Sequence, residues 1–157
     1  MRLLLAAILA LTVLPVRGDE VPFAQPAPSL DQHRQSYTVA LSDAMELTQL
    51  RHIKLWLAGN AKNWPLANYE LTQLKDTFDK AAVLYLNIPL EYIASVEKPL
   101  GTLADAVAAK DSVQFRRGFM ALQTACNECH KAADVGFVVI QTPTVSVFPD
   151  EKFAPVR

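Results

Sequence analysis

From Asp43 to Ala133 apolar residues recur at steps of three and four, the spacing that keeps side chains on one face of an α-helix. Asp43 with Glu46 three residues on fits a capping box, and predicts a first helix to about Ala58, ended by Gly59 and Asn60. Its inward stripe reads Met45, Gln49, His52, Ile53, Trp56 and Leu57, which is unusual in holding two polar residues. Asn63 is a good N-cap for a second helix with Pro65 in its first turn and a stripe of Ala67, Leu71, Leu74, Phe78, Ala81 and Tyr85. Asn87 to Pro89 breaks that helix. Ile93, Val96, Leu100, Leu103 and Val107 mark a third, which either starts near Ser95 or is kinked at Pro99. Asp111 and Gln114 form another capping box ahead of Phe115, Phe119, Leu122, Cys126, Cys129 and Ala133, with Gly136 as the stop. Four amphipathic segments with short connections predict an all-α fold, an antiparallel four-helix bundle over 43–133.

The flanks read differently. Arg2, the apolar run from Leu3 to Leu14, and Val16 and Gly18 at small-residue positions have the form of an export signal over 1–18. A retained anchor is the other reading of that stretch. Residues 19–42, with Pro22, Pro26 and Pro28, read as an extended leader, and 134–157, with Pro143, Pro149 and Pro155, as an extended C-terminal tail. Tyr37 to Leu41 and Phe137 to Ile140 are β-prone and could pair as short strands.

Of 157 residues, 51% are hydrophobic and five are glycine, a composition that supports one domain with a core. Cleavage after Gly18 would leave 13 basic against 16 acidic groups, a net charge of −3. Such a charge gives no reason to expect nucleic acid as a partner. No later segment reaches about 18 uninterrupted apolar residues, so stable membrane insertion is not expected. The two cysteines, Cys126 and Cys129, are too few for a disulfide framework, and in an oxidising compartment they need a specific use.

Cys126-Asn127-Glu128-Cys129-His130 supplies that use: it is a C-x-x-C-H haem attachment sequence. On a helix, positions i, i+3 and i+4 share one face, so two thiols can form thioethers along one porphyrin edge while His130 places its imidazole under the iron. The competing uses are a disulfide, a thiol redox pair and a zinc site. The redox pair lacks a βαβ context, and zinc lacks ligands, since only His33 and His52 remain as histidines. Met45, His52 and Met120 are the candidates for the sixth iron ligand. In an up-down-up-down bundle the start of the first helix lies level with the end of the fourth, which favours Met45. His52 lies about 10 Å further along the axis. Met45 is otherwise a core methionine packed on the porphyrin. Arg51, Lys54, Arg116 and Arg117 are either partners for haem propionates or a solvated face.

With a signal, four helices and C-x-x-C-H near the end of the last, the chain resembles the cytochrome c′ class. The stretches Gln49 to Trp56 and Asn63 to Leu71 look like those of a poorly characterised group of proteobacterial cytochrome-like proteins. The resemblance implies a four-helix bundle with one covalent haem c, and Met45 matches the position of the helix methionine of its low-spin members. The chain departs from the class in having Lys131 where an arginine usually follows the haem histidine, and in its proline-rich tail. The resemblance is therefore not extended to gas binding. The function expected is one-electron transfer in the periplasm, with a five-coordinate binder of NO or CO as the alternative. Redox proteins are the expected partners and a homodimer is compatible. No nucleophile with a paired base and no phosphate loop is visible, so no enzymatic activity is expected.

Overall fold

Five helices make up most of residues 40–85 and 88–156, the part of the chain that the computed structural model describes. They are α1 (Leu41–Asn60), α2 (Trp64–Leu84), α3 (Leu90–Ala94), α4 (Glu97–Ala109) and α5 (Ser112–Ala132). The four long ones form a helical bundle. α1 packs along α2 and α4 along α5, while α2 touches α4 and α1 touches α5. The short α3 leans on α2, α4 and α5. The expected signal over 1–18 and most of the expected leader lie outside the described residues.

Two of the expected caps form. Asn63 Oδ1 accepts from the Leu66 N–H at 3.4 Å, and Asp111 Oδ1 accepts from Val113 and Gln114 at 2.8 and 3.0 Å. Those two N–H groups hold the Asp111 carboxyl below its ordinary range, the bond from Gln114 contributing most. The capping box at Asp43 does not form. α1 begins two residues earlier, after Ala40, without a side-chain cap, so Leu41 and Ser42 belong to the helix and not to the leader. No strand occurs among the described residues, and Phe137 to Ile140 is irregular backbone. Pro99 is the third residue of α4, within the first turn, where its missing N–H breaks no helical bond. The third predicted helix is therefore two, α3 and α4, joined by a turn at Ser95 and Val96.

Glycine does not stop the helices where the sequence suggested. α1, α4 and α5 all end in a Schellman turn whose left-handed residue is Lys62, Lys110 or Asp134, with φ of 58°, 55° and 58°. The paired bonds are Asn63 N–H to Ala58 O, Asp111 N–H to Ala106 O and Val135 N–H to His130 O, each 2.9 Å. α5 thus closes at Ala132, ahead of Gly136.

Gly59 has a different task. It lies inside α1, and a Cβ built there would sit 2.1 Å from Phe115 Cζ, so the Phe115 ring occupies the space a side chain would need. Phe115 is fully buried, as are Phe119, Leu55, Leu74, Leu103 and Leu122. Each such side chain contributes roughly 1.5–3 kcal/mol on burial. Gly59→Ala is expected to lower stability by about 1–3 kcal/mol from overpacking, net of alanine's better helix propensity. Urea unfolding of the two proteins checks this, and an unchanged or higher midpoint contradicts it.

Glu70 is also buried, 1% exposed, because its Oε2 accepts from Arg51 Nη1 at 3.0 Å across the α1–α2 seam. Lys54 reaches Glu151 at 2.6 Å and lies over the Phe148 ring. Two of the four cations considered for haem propionates are therefore engaged elsewhere. The tail is more than an extended surface segment: Phe153 packs against the core.

Candidate functional site

α1 and α5 meet in a definite register. His52 stacks on Phe119 with ring centroids 4.3 Å apart, Trp56 packs on Phe119 and Phe115 at 4.8 and 6.4 Å, and Gly59 abuts Phe115. Residue numbers rise on α1 as they fall on α5. Met45 precedes His52 by as many residues as Cys126 follows Phe119, so the two lie at one level of the bundle.

At that level the bundle opens into a cavity of about 480 Å³, within the roughly 300–1,000 Å³ range of small-molecule and cofactor sites. α1 contributes Leu41, Ser42, Met45, Glu46, Thr48, Gln49 and His52, and α5 contributes Cys126, Cys129 and His130. Phe78 and Ala81 of α2 line it, as do Ile88, Tyr92, Ile93 and Val96 around α3. Val135, Val138 and Ile140 of the tail complete it. The wall is largely apolar, and the hydroxyl of Thr48 is already donated to Ala44 O at 2.8 Å. The sequence-derived residues Met45, Cys126, Cys129 and His130 all face this one space. Met120, the third ligand candidate, is 61% exposed and is not among the lining residues.

His130 is oriented by the tail. Its Nδ1 lies 2.6 Å from the carbonyl oxygen of Val138. A carbonyl can only accept, so Nδ1 carries a hydrogen, and in the neutral imidazole Nε2 is then the nitrogen with the lone pair. That is the tautomer a metal-ligating histidine uses, with its other nitrogen held by a backbone carbonyl. The thiols are both free and less acidic than usual. Burial, with the neighbouring Cys129 adding to it, pushes Cys126 up to about 11, and burial raises Cys129 as well. A thiol redox pair needs the opposite, a depressed pKa that populates thiolate. Among the described residues no three or more His, Cys, Asp or Glu side chains group so as to hold a metal ion by themselves. The donor set therefore fits a cofactor that brings its own coordination: two protonated thiols in helical register, one metal-competent imidazole and an apolar cleft. Haem fits it.

His52 was legible as a polar residue on an inward face, but its state was not. It is 3% exposed, and its Nε2 has no hydrogen-bond partner among the described residues. Burial lowers its pKa from 6.5 to about 4, so it is neutral at pH 7. The unfolded chain then binds a proton that the folded one refuses between those two values. Stability is complete above pH 6.5 and falls as the pH drops towards 4, by about 3 kcal/mol in all. Urea midpoints measured from pH 7 to 4.5 are expected to decline, and His52→Leu to flatten the decline. An equal slope in both proteins contradicts this.

The residues that sequence reasoning missed are the tail contributors Val135, Val138 and Ile140, and the partner of His130. Their signal was only an apolar run after the motif. No helix of the described residues is long and apolar enough to cross a membrane. Comparison of the chain with family models, with curated proteins and with solved structures finds no match.

Proposed function

We propose that the chain is an exported c-type cytochrome of the cytochrome c′-like class that carries one covalent haem and transfers single electrons in the periplasm. In this reading residues 1–18 are the signal that directs export, and the four long helices are an antiparallel bundle. The observation that carries the reading is the convergence of Cys126, Cys129, His130 and Met45 on one apolar cavity, with the His130 Nδ1 hydrogen bonded away from it. When bound, haem supplies an iron that cycles between Fe(III) and Fe(II). The chain's own part is to hold it. Cys126 and Cys129 would hold it through two thioethers, each formed by adding the thiol S–H across a vinyl group. His130 Nε2 from α5 and Met45 Sδ from α1 would ligate the iron. Buried Val96 and the half-buried Ile88, Ile93 and Ile140 would keep water from the haem, and with the ligands would set its potential.

His52 does not share the level of Met45, and in this reading it is a neutral group at the inner end of the cavity. The partners are redox proteins that approach the haem edge. Absorption spectra of the exported protein, oxidised and dithionite-reduced, with and without CO, test the reading. A low-spin reduced spectrum with a sharp α band that CO does not quickly perturb is expected. A high-spin spectrum that CO changes at once would replace the electron carrier by the five-coordinate gas binder. A colourless protein would end both.

A further inference from the structure

The tail follows α5 with a regularity that the haem motif alone does not require. Gln123, Asn127 and His130 stand at steps of four and three, on one face of α5. Their tail partners are Thr142, Ile140 and Val138, at steps of two and in reverse order. Thr142 Oγ1 donates to Gln123 Oε1 at 2.9 Å. The Asn127 amide makes two bonds to one residue: its Oδ1 accepts from the Ile140 N–H at 2.8 Å, and its Nδ2 donates to the Ile140 O at 2.9 Å. The Val138 O receives His130 Nδ1 at 2.6 Å. On the other side of Val138 the Schellman bond from Val135 N–H to His130 O fixes where the strap leaves the helix. The Val138 carbonyl is thus held from both directions.

We infer that Asn127 is a positioning residue for the axial ligand: by clamping Ile140 it fixes the carbonyl of Val138, and so sets both the aim of His130 and how strongly its imidazole donates to the iron. The role rests on the proposed haem. A hydrogen bond at Nδ1 makes the imidazole more basic at Nε2, which stabilises Fe(III) over Fe(II) and lowers the potential. Asn127 suits this because it offers a donor and an acceptor side by side, the pattern a neighbouring backbone would present to Ile140. Aspartate keeps the acceptor for the Ile140 N–H but cannot donate to the Ile140 O.

The test compares wild type, Asn127→Ala, Asn127→Asp and Thr142→Val, all as haem-loaded full chains. Two quantities are read: exchange of the Ile140 amide hydrogen and the midpoint potential. Asn127→Ala is expected to speed that exchange by about tenfold or more, the size of a lost hydrogen bond, and to raise the potential. Asn127→Asp should fall between wild type and alanine in both. Thr142→Val leaves the clamp in place and should leave both quantities close to wild type, while Asn127→Asp carries the test if Asn127→Ala does not fold. An Asn127→Ala protein with fast Ile140 exchange and the wild-type potential would overturn the role, leaving Asn127 a tie for the tail. Unchanged exchange would overturn it too. Wild-type protein without haem would overturn the proposed function as well, and the exchange readout would still report the clamp.

Discussion

Replacing Cys126 and Cys129 together by alanine is expected to give a colourless protein with a much lower melting temperature than the haem-loaded wild type. Both thiols border the cavity, and Cys126 also packs against the core. With the cofactor gone, about 480 Å³ bounded mainly by apolar side chains must either stand open or collapse. Thioether-bound haem stays on the unfolded chain, so it stabilises only through the ligation and apolar contacts made in the folded state, an increment on the order of 4 kcal/mol, comparable to burying about two large apolar side chains. For a chain of this size that corresponds to a loss of roughly 10–20 °C. Thermal unfolding followed by circular dichroism measures it. Equal melting temperatures would mean that the cavity is not a haem site on which folding depends.

Met45→Ala is expected to change the iron and not the fold. Met45 is only partly buried and lies outside the core cluster, so truncation removes little packing. If its sulfur is the sixth ligand, the variant opens that position. The reduced spectrum moves from low to high spin, CO binds rapidly, and the potential falls because Met/His ligation raises it. His52→Leu, two turns along α1, should leave the spectrum close to wild type. The reverse pattern, with His52→Leu abolishing the low-spin spectrum and Met45→Ala leaving it intact, would put the iron level with His52 and contradict the register of α1 against α5.

The helices were legible because their signals are local. Asn63 and Asp111 cap through bonds to residues two or three further on, and the stripes of α2, α4 and α5 lie within single elements. The face of α1 was read less well. Its buried set, Thr48, His52, Leu55, Ala58 and Gly59, is mostly small or polar and does not present a hydrophobic stripe. Gly59 looked like a helix stop because its real constraint, the ring of Phe115, comes from a distant part of the chain. The left-handed positions fell on Lys62, Lys110 and Asp134, side chains that carry no turn signal comparable with glycine's. Leu55 and Glu70 likewise owe their burial to partners that pattern alone does not name.

The candidate site divides in the same way. Cys126, Cys129 and His130 could be read together because one helical turn brings them together. Met45 could be joined to them only through the register of two helices, which the ring contacts of His52, Trp56 and Gly59 now supply. The strap could not be read at all. Phe137 to Ile140 looked like strand, yet its bonds go to side chains of α5, because Asn127 and His130 offer the groups that a neighbouring strand would otherwise provide.

Intact mass of the wild-type chain, co-expressed with a cytochrome c maturation system and unfolded in acid before measurement, addresses the attachment of haem directly. Thioethers survive denaturation, and a haem held only by coordination does not. The expected mass is that of the processed polypeptide plus one haem, reduced to the polypeptide alone in the Cys126→Ala, Cys129→Ala variant. A wild-type mass equal to the bare polypeptide, or lower by the two hydrogens of a Cys126–Cys129 disulfide, would contradict the assignment of this cavity to covalent haem.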